Sequence, residues 1–323
     1  MQTYRLPPTD LEPTRLGYGC MEIGRRWDDS PLTKEDIDHA RTAVHTALNA
    51  GINFFDHADI YTMGKSEQAF AHLLKEDPQL RDEIIIQSKC AIRFPNPDKG
   101  YPVRYDFSYD YIIQSVDGIL DRLQTPFLDI LLLHRPDPLM EPDEVARAFD
   151  DLHASGKVRH FGVSNHTPSQ IALLQTSLNQ PLVVNQIQLS LHHIDPIDAG
   201  INANQYGHPY TGGADIINYC RQHKILIQAW GSLARGNLFR PTADAPDHHQ
   251  ELTNTINDLA KIKNCSPEAL ALAWLLRHPA PIQPIIGTTN PKRIEACAEA
   301  DNVTLSREEW YLLLEKARGA PAP

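Results

Sequence analysis

Residues 33–56 read TKEDIDHARTAVHTALNAGINFFD, and the change of period inside that stretch decides the fold. Thr33 can accept a hydrogen bond at a helix start, and Asp36 stands three residues on, close to a capping box. Ile37, Ala40, Val44, Ala47 and Leu48 then recur at intervals of three and four, which is one apolar face of a helix. Gly51 fits the position just past a helix, where a left-handed backbone is wanted. Ile52 to Phe55 follows at once as a short apolar strand.

Working outward, the same unit recurs along the chain. Apolar runs predict strands at Leu16–Gly19, Ile52–Phe55, Ile84–Gln87, Leu128–Leu133, Phe161–Val163, Leu182–Val184, Ile225–Ala229 and Gln283–Ile286. Helical patterns fall between them at 66–74, 108–123, 142–154, 168–176, 215–223, 255–263 and 267–277. Continuous rather than alternating apolar runs belong to parallel strands buried on both faces. Eight βα units in roughly 300 residues predict a single-domain (β/α)8 TIM barrel over residues 1–323, with an extra helix at the C-terminus. Two polar stretches interrupt the rhythm, 190–213 after strand six and 235–250 after strand seven. Both are expected as structureless loops on the face where barrel strands end, walling a site.

Composition narrows the function. With 30 Lys+Arg against 41 Asp+Glu the net charge is −11, which makes a nucleic-acid or anionic-membrane partner a poor expectation. The five cysteines are scattered, never spaced as CxxC, so neither a disulfide framework nor a zinc knuckle is expected. No run approaches the ~20 apolar residues of a membrane span. The opening MQTYRLPPTDLEP lacks the apolar stretch of a secretion signal, so the expected location is cytoplasmic.

Catalytic groups of such a barrel stand where its strands finish. Asp56 follows strand two, with Tyr61 five residues on; Lys89 follows strand three and His134 strand four. Strands five to eight end in Ser164-Asn165, Asn185-Gln186, Trp230-Gly231 and Gly287-Thr288. A lysine facing the barrel interior needs a carboxylate, which Asp56 can supply. A phenol has a pKa near ~10, and a cation beside it is expected to bring that down, making Tyr61 a general acid. His134 can bind the same substrate oxygen, while His57 and Asp59 are expected to support from behind. A rival reading uses His57, Asp59 and His134 as metal ligands, but Lys89 would compete with the ion and no HxH pair is present. No metal is expected.

GINFFDHADIY (51–61), IIIQSK (84–89), DILLLHRPD (129–137) and GKVRHFGVSNH (156–166) together resemble the aldo-keto reductase superfamily, in its order and spacing, from about Leu16 to the last helix. The HRPD stretch is most similar to the bacterial and fungal oxidoreductase branch. The resemblance implies an NADPH-dependent reductase of aldehydes or ketones, with Tyr61, Asp56, Lys89 and His134 as catalytic tetrad. It also implies that Ser164, Asn165 and Gln186 bind the nicotinamide carboxamide and that Trp230 stacks on the ring. Gly231, Ser232, Leu233, Arg235, Gly287, Thr288 and Arg293 would hold the rest of NADP+, the last two at the 2′-phosphate. Gly287, Ala296 and Cys297 depart from the family's usual lysine, glutamate and asparagine there. His57 and Thr62 likewise replace a small hydroxyl residue and a glycine beside the pocket. Met21 and Trp27 are expected to bind a small-molecule carbonyl substrate, with Tyr18 and Tyr206, His208 or Tyr210 nearby. A monomer is expected. The other class weighed is a cofactor-binding sensor with residual turnover.

Overall fold

A computed structural model describes residues 1–202, 215–243 and 245–323. The barrel strands are β1 (Gly17–Gly19), β2 (Phe54–Asp56), β3 (Ile85–Cys90), β4 (Leu128–Leu133), β5 (Val158–Ser164), β6 (Leu182–Gln188), β7 (Leu226–Trp230) and β8 (Ile282–Ile286); Ile92–Arg93 and Arg104–Tyr105 pair as a separate antiparallel hairpin. Each barrel strand pairs in parallel with the next, and β8 pairs back onto β1 through Gly17 opposite Ile285, closing the barrel. Thr33 and Asp36 form the expected capping box at the head of Lys34–Asn49. A helix or helix pair follows every barrel strand, and Arg307–Arg318 is the extra C-terminal one.

Side chains alternate along each strand between barrel interior and surrounding helices. Phe54, Ile85, Ile130, Leu132, Val184, Leu226 and Ile285 fill the interior at its lower end. Phe55, Ile86, Leu131, Leu133 and Ile227 face the helices in the larger outer cluster. The interior is tight enough that a Cβ on Gly17 would stand 2.6 Å from Ile285 Cδ1 and 3.1 Å from Phe54 Cδ1, which is why β1 carries glycine there.

Three of the departures from the expectation bear on the core and the loops. The N-terminal segment folds back as a hairpin, with Leu6 N–H donating to Leu11 O and Thr3 bridging Thr14, and it plugs the lower end of the barrel. Leu6 and Leu11 join the interior cluster at 2% and 6% exposure, burial worth about 1.5–3 kcal/mol each. Stretch 190–213 is not structureless: Asp195–Ile201 is a helix with proline in its first turn, while 203–214 lie outside the described residues. The helix after β7 starts at Asp247, eight residues before the expected Thr255, so loop 235–250 is shorter. Its first turns are polar and bury little; Thr253 Oγ1 on Leu238 O and Lys316 on Glu251 hold them, contacts that periodicity does not register.

Candidate active site

Asp56, Lys89 and Tyr61 meet at the upper end of β2 and β3. Lys89 is fully buried, and its three N–H bonds are all engaged: Asp56 Oδ2 at 2.7 Å, His57 O at 2.9 Å and Tyr61 Oη at 2.9 Å. Since the phenol oxygen accepts from Lys89, its own O–H is left to donate towards the mouth. Burial works against the Lys89 ammonium, but Asp56 and Tyr61 outweigh it and its pKa lies above the ordinary lysine value. Tyr61 departs from the expectation. Burial raises its pKa, and the pull of Lys89 does not overcome that, so the phenol keeps its proton throughout the neutral range.

The backbone after Tyr61 is unusual. Thr62, Met63 and Gly64 have φ of 47°, 59° and 85°, three successive left-handed residues of which two carry Cβ. Such strain persists only where surroundings over-determine it. Here Thr62 Oγ1 lies 2.8 Å from both Tyr61 O and Ser66 Oγ, and Ser66 Oγ donates to Met21 O at 3.0 Å. The latch ties the tyrosine turn to the loop after β1. Gly24 leaves room for it, since a Cβ there would lie 2.0 Å from Thr62 Oγ1.

His134 faces Tyr61 edge-on, ring centroids 6.0 Å apart, with its Nδ1 buried and unpartnered among the described residues. Burial, then the Lys89 and Arg135 charges, hold its pKa well below the usual histidine value, so the imidazole is neutral. Its carbonyl accepts from Asn165 Nδ2 at 3.2 Å, and Asn165 Oδ1 accepts from Trp230 Nε1 at 2.9 Å. Asn165 sits at φ 63°, a conformation asparagine tolerates better than most residues. Its second amide hydrogen goes to Ser164 Oγ at 2.8 Å, and Ser164 donates to Gln186 O at 2.9 Å. Ser164, Asn165, Gln186, Trp230 and His134 thus form one contiguous set. A cavity of about 440 Å3 opens beside it, lined by Arg135, Asn165, Gln188, His193 and Trp230 among others.

Sequence reasoning missed three interior glutamines. Gln87, Gln228 and Gln283 are fully buried; Gln87 donates to Asp56 Oδ1 at 2.6 Å and to Gln228 Oε1 at 2.8 Å. A polar residue at an inward position of an otherwise apolar strand was the available signal. Behind Lys89, Glu67 accepts from Ser88 Oγ at 2.8 Å and from Arg122 Nε at 2.7 Å. Burial raises Glu67 to about 6. Burial, and then the Glu67 charge, raise Asp59 to about 8, with its Oδ1 unpartnered among the described residues. His57 turns its buried ring edge-on to Phe70, 4.7 Å between centroids, and only its carbonyl reaches Lys89.

Other expected residues spread further out. Tyr18 does not line the mouth: it faces the outer core at 0% exposure, packed on Phe55, because β1 alternation turns it outward. Met21 and the exposed Trp27 lie in the loop after β1, while Tyr206, His208 and Tyr210 lie outside the described residues. Ser232 donates to Ile285 O at 3.0 Å, pinning the β7 loop to β8, and Gly231, Ala234, Arg235 and Gly236 all have positive φ. Leu233 lies in the same turn and packs on the outer core. Gly287, Thr288 and Arg293 mark the end of β8 and the first turn of helix Pro291–Ala298, which Asn290 caps. Among the described residues no three of His, Cys, Asp and Glu converge as a metal-ligand set, and no helix is long and apolar enough to cross a membrane.

A buried lysine–aspartate pair thus holds a tyrosine hydroxyl beside a neutral histidine at the mouth of a parallel barrel. The family model for the aldo/keto reductase family matches residues 15–318, and the chain belongs to that family. It is 38% identical to oxidoreductase YdhF of Escherichia coli over 281 residues, 87% of this chain and 88% of that one. It is 35% identical to a 6-dehydroglucose reductase of Agrobacterium fabrum over 311 residues, 96% of each chain. Among solved structures, the glycerol dehydrogenase AKR11B4 of Gluconobacter oxydans superposes with a TM-score of 0.82 at 26% identity, covering 100% of this chain and 97% of that one.

Proposed function

We propose that the protein reduces the carbonyl of a small, oxygen-rich aldehyde to an alcohol with NADPH, Tyr61 giving the proton. The observation that carries this reading is the threefold bonding of Lys89, which leaves the Tyr61 O–H as a free donor at the mouth. A reduced nicotinamide, when bound, supplies hydride from its C4. The chain's residues fit that group. Gln186 gives its one side-chain hydrogen bond through nitrogen, to Gln228, so its carbonyl oxygen can accept from a carboxamide. Trp230 is half-buried and presents a flat ring for stacking.

His134 and Tyr61 polarise the substrate carbonyl from one side. As charge builds on the substrate oxygen, Tyr61 Oη releases its proton to it, and the Lys89 ammonium stabilises the phenolate left behind. Asp56 keeps that ammonium in place. In this reading the turn 231–235, with Thr288 and Arg293, would hold the phosphates, Arg293 the 2′-phosphate. The preference for a hydroxylated aldehyde rests on relatives named 6-dehydroglucose reductase, one at 35% and one at 36% identity.

The test titrates protein with NADPH and NADH by intrinsic tryptophan fluorescence, then assays glyceraldehyde and other hydroxylated aldehydes against unsubstituted ones. Tyr61→Phe should lower reduction at least about 100-fold, the range of general acid catalysis, with cofactor Kd unchanged. Wild-type turnover by Tyr61→Phe overturns the reading.

A further inference from the structure

We propose that the buried amides of Gln87, Gln186, Gln228 and Gln283 form a directional chain that orients both the cofactor-facing amide and the catalytic ion pair, with Gln228 as its hub. The proposal rests on the functional reading above, since it assigns Gln186 a role toward a nicotinamide.

The chain spans the barrel interior from Asp56 to the N-terminal plug. Gln283 Nε2 donates to Thr14 O at 2.6 Å. Gln228 Nε2 donates to Gln283 Oε1 at 2.9 Å. Gln228 Oε1 then accepts twice, from Gln87 Nε2 at 2.8 Å and from Gln186 Nε2 at 2.9 Å. Gln87 Nε2 also donates to Asp56 Oδ1 at 2.6 Å. All four glutamines are at most 2% exposed, so water does not offer alternatives to these partners.

An amide can be turned end for end, and the two ends of this chain decide against that. A backbone carbonyl accepts only, so Gln283 must present nitrogen to Thr14 and oxygen to Gln228. Gln228 must then present nitrogen to Gln283 and oxygen to its other two partners. A carboxylate also accepts only, so Gln87 must present nitrogen to Asp56, the same sense reached from the opposite end. Reversing any member would set two oxygens against each other in a dry interior.

Two consequences reach the site. Gln186 is obliged to turn its nitrogen to Gln228, which leaves its carbonyl oxygen to accept from a carboxamide N–H. Asp56 has its Oδ1 occupied by Gln87, which leaves Oδ2 to Lys89. Gln228 is therefore a positioning residue for both, touching neither cofactor nor substrate. Thr14 brings the N-terminal plug into the same chain.

Methionine keeps the unbranched shape of glutamine and removes both amide functions. Gln228→Met should raise the NADPH Kd, read by quenching of tryptophan fluorescence, about 10-fold, as expected for one misdirected hydrogen bond. Gln87→Met should leave that Kd unchanged but move the alkaline limb of kcat/KM upward, because Asp56 loses the N–H that shares its charge and its field on the phenol strengthens. Gln283→Met should lower the thermal midpoint with a smaller change in Kd than Gln228→Met. If Gln228→Met does not fold, the Gln87→Met profile and the Gln283→Met Kd carry the test. Wild-type protein that binds neither NADPH nor NADH would overturn the functional reading and this inference with it. Wild-type protein that binds and reduces, while the variants keep its Kd and pH profile and lose only thermal stability, overturns this inference alone.

Discussion

Lys89 Nζ lies 2.7 Å from Asp56 Oδ2 with both side chains shut away from water, 0% and 3% exposed. In that dry setting each charge is kept tolerable by the other. Asp56→Asn strands a buried ammonium and should cost about 3–5 kcal/mol of unfolding free energy, along with activity. The double replacement Asp56→Asn with Lys89→Met removes both charges. Urea unfolding should show most of that loss recovered while reduction stays absent; a double variant no more stable than Asp56→Asn would contradict the pairing.

Gly24→Ala tests the turn that holds Tyr61. The new Cβ would lie 2.0 Å from Thr62 Oγ1 and 2.7 Å from Ser66 N, so the latch must shift. A destabilisation of about 1–3 kcal/mol is expected from such overpacking. Because the displaced turn carries the proton donor, kcat should fall about 10-fold even where the protein remains folded, as small misplacements of catalytic groups do. Steady-state kinetics below the melting range separate the two effects.

Asp59 makes stability depend on pH in a direction opposite to that of a salt-bridged carboxylate. Its folded pKa of about 8 exceeds the unfolded value, so between the two the native state holds a proton that the unfolded chain has released. Stability from this group is therefore present at about pH 4 and lost as pH rises towards 8. Asp59→Asn keeps a neutral side chain of the same shape and should flatten the decline in urea midpoint across that window. An unchanged slope would remove Asp59 as its source.

Arg293→Ala should weaken NADPH about 10–100-fold, the worth of a charge-assisted phosphate contact, and leave NADH nearly untouched. Equal losses for both cofactors would place Arg293 away from the 2′-phosphate.

Residues 33–56 announced the repeating unit because capping and periodicity are local: Thr33 and Asp36 meet within one turn, and an apolar stripe needs only its own helix. The strand ends followed from that, which is how Asp56, Lys89, Tyr61 and His134 could be named together before any contact was known. Leu6 and Leu11 were not recognised as a plug, since what they bury against comes from residues up to 279 positions away, Ile285 among them. The helix starting at Asp247 escaped for a similar reason, its polar first turns being held by Leu238 and Lys316.

Electrostatics divided along the same line. That Lys89 would need a carboxylate follows from its charge and inward position alone. Whether it lowers the Tyr61 pKa depends on how much burial opposes it, and burial is a property of the closed barrel. The direction of the glutamine chain likewise depends on partners from β3, β6, β7, β8 and the N-terminal hairpin meeting in one dry interior. Local order and the identity of the reacting groups were written in the linear chain, because period, caps and side-chain chemistry act over a few residues. Which proton stays, which oxygen faces the mouth and what seals the barrel were decided only in three dimensions, where distant residues exclude water and fix the partners each polar atom can reach.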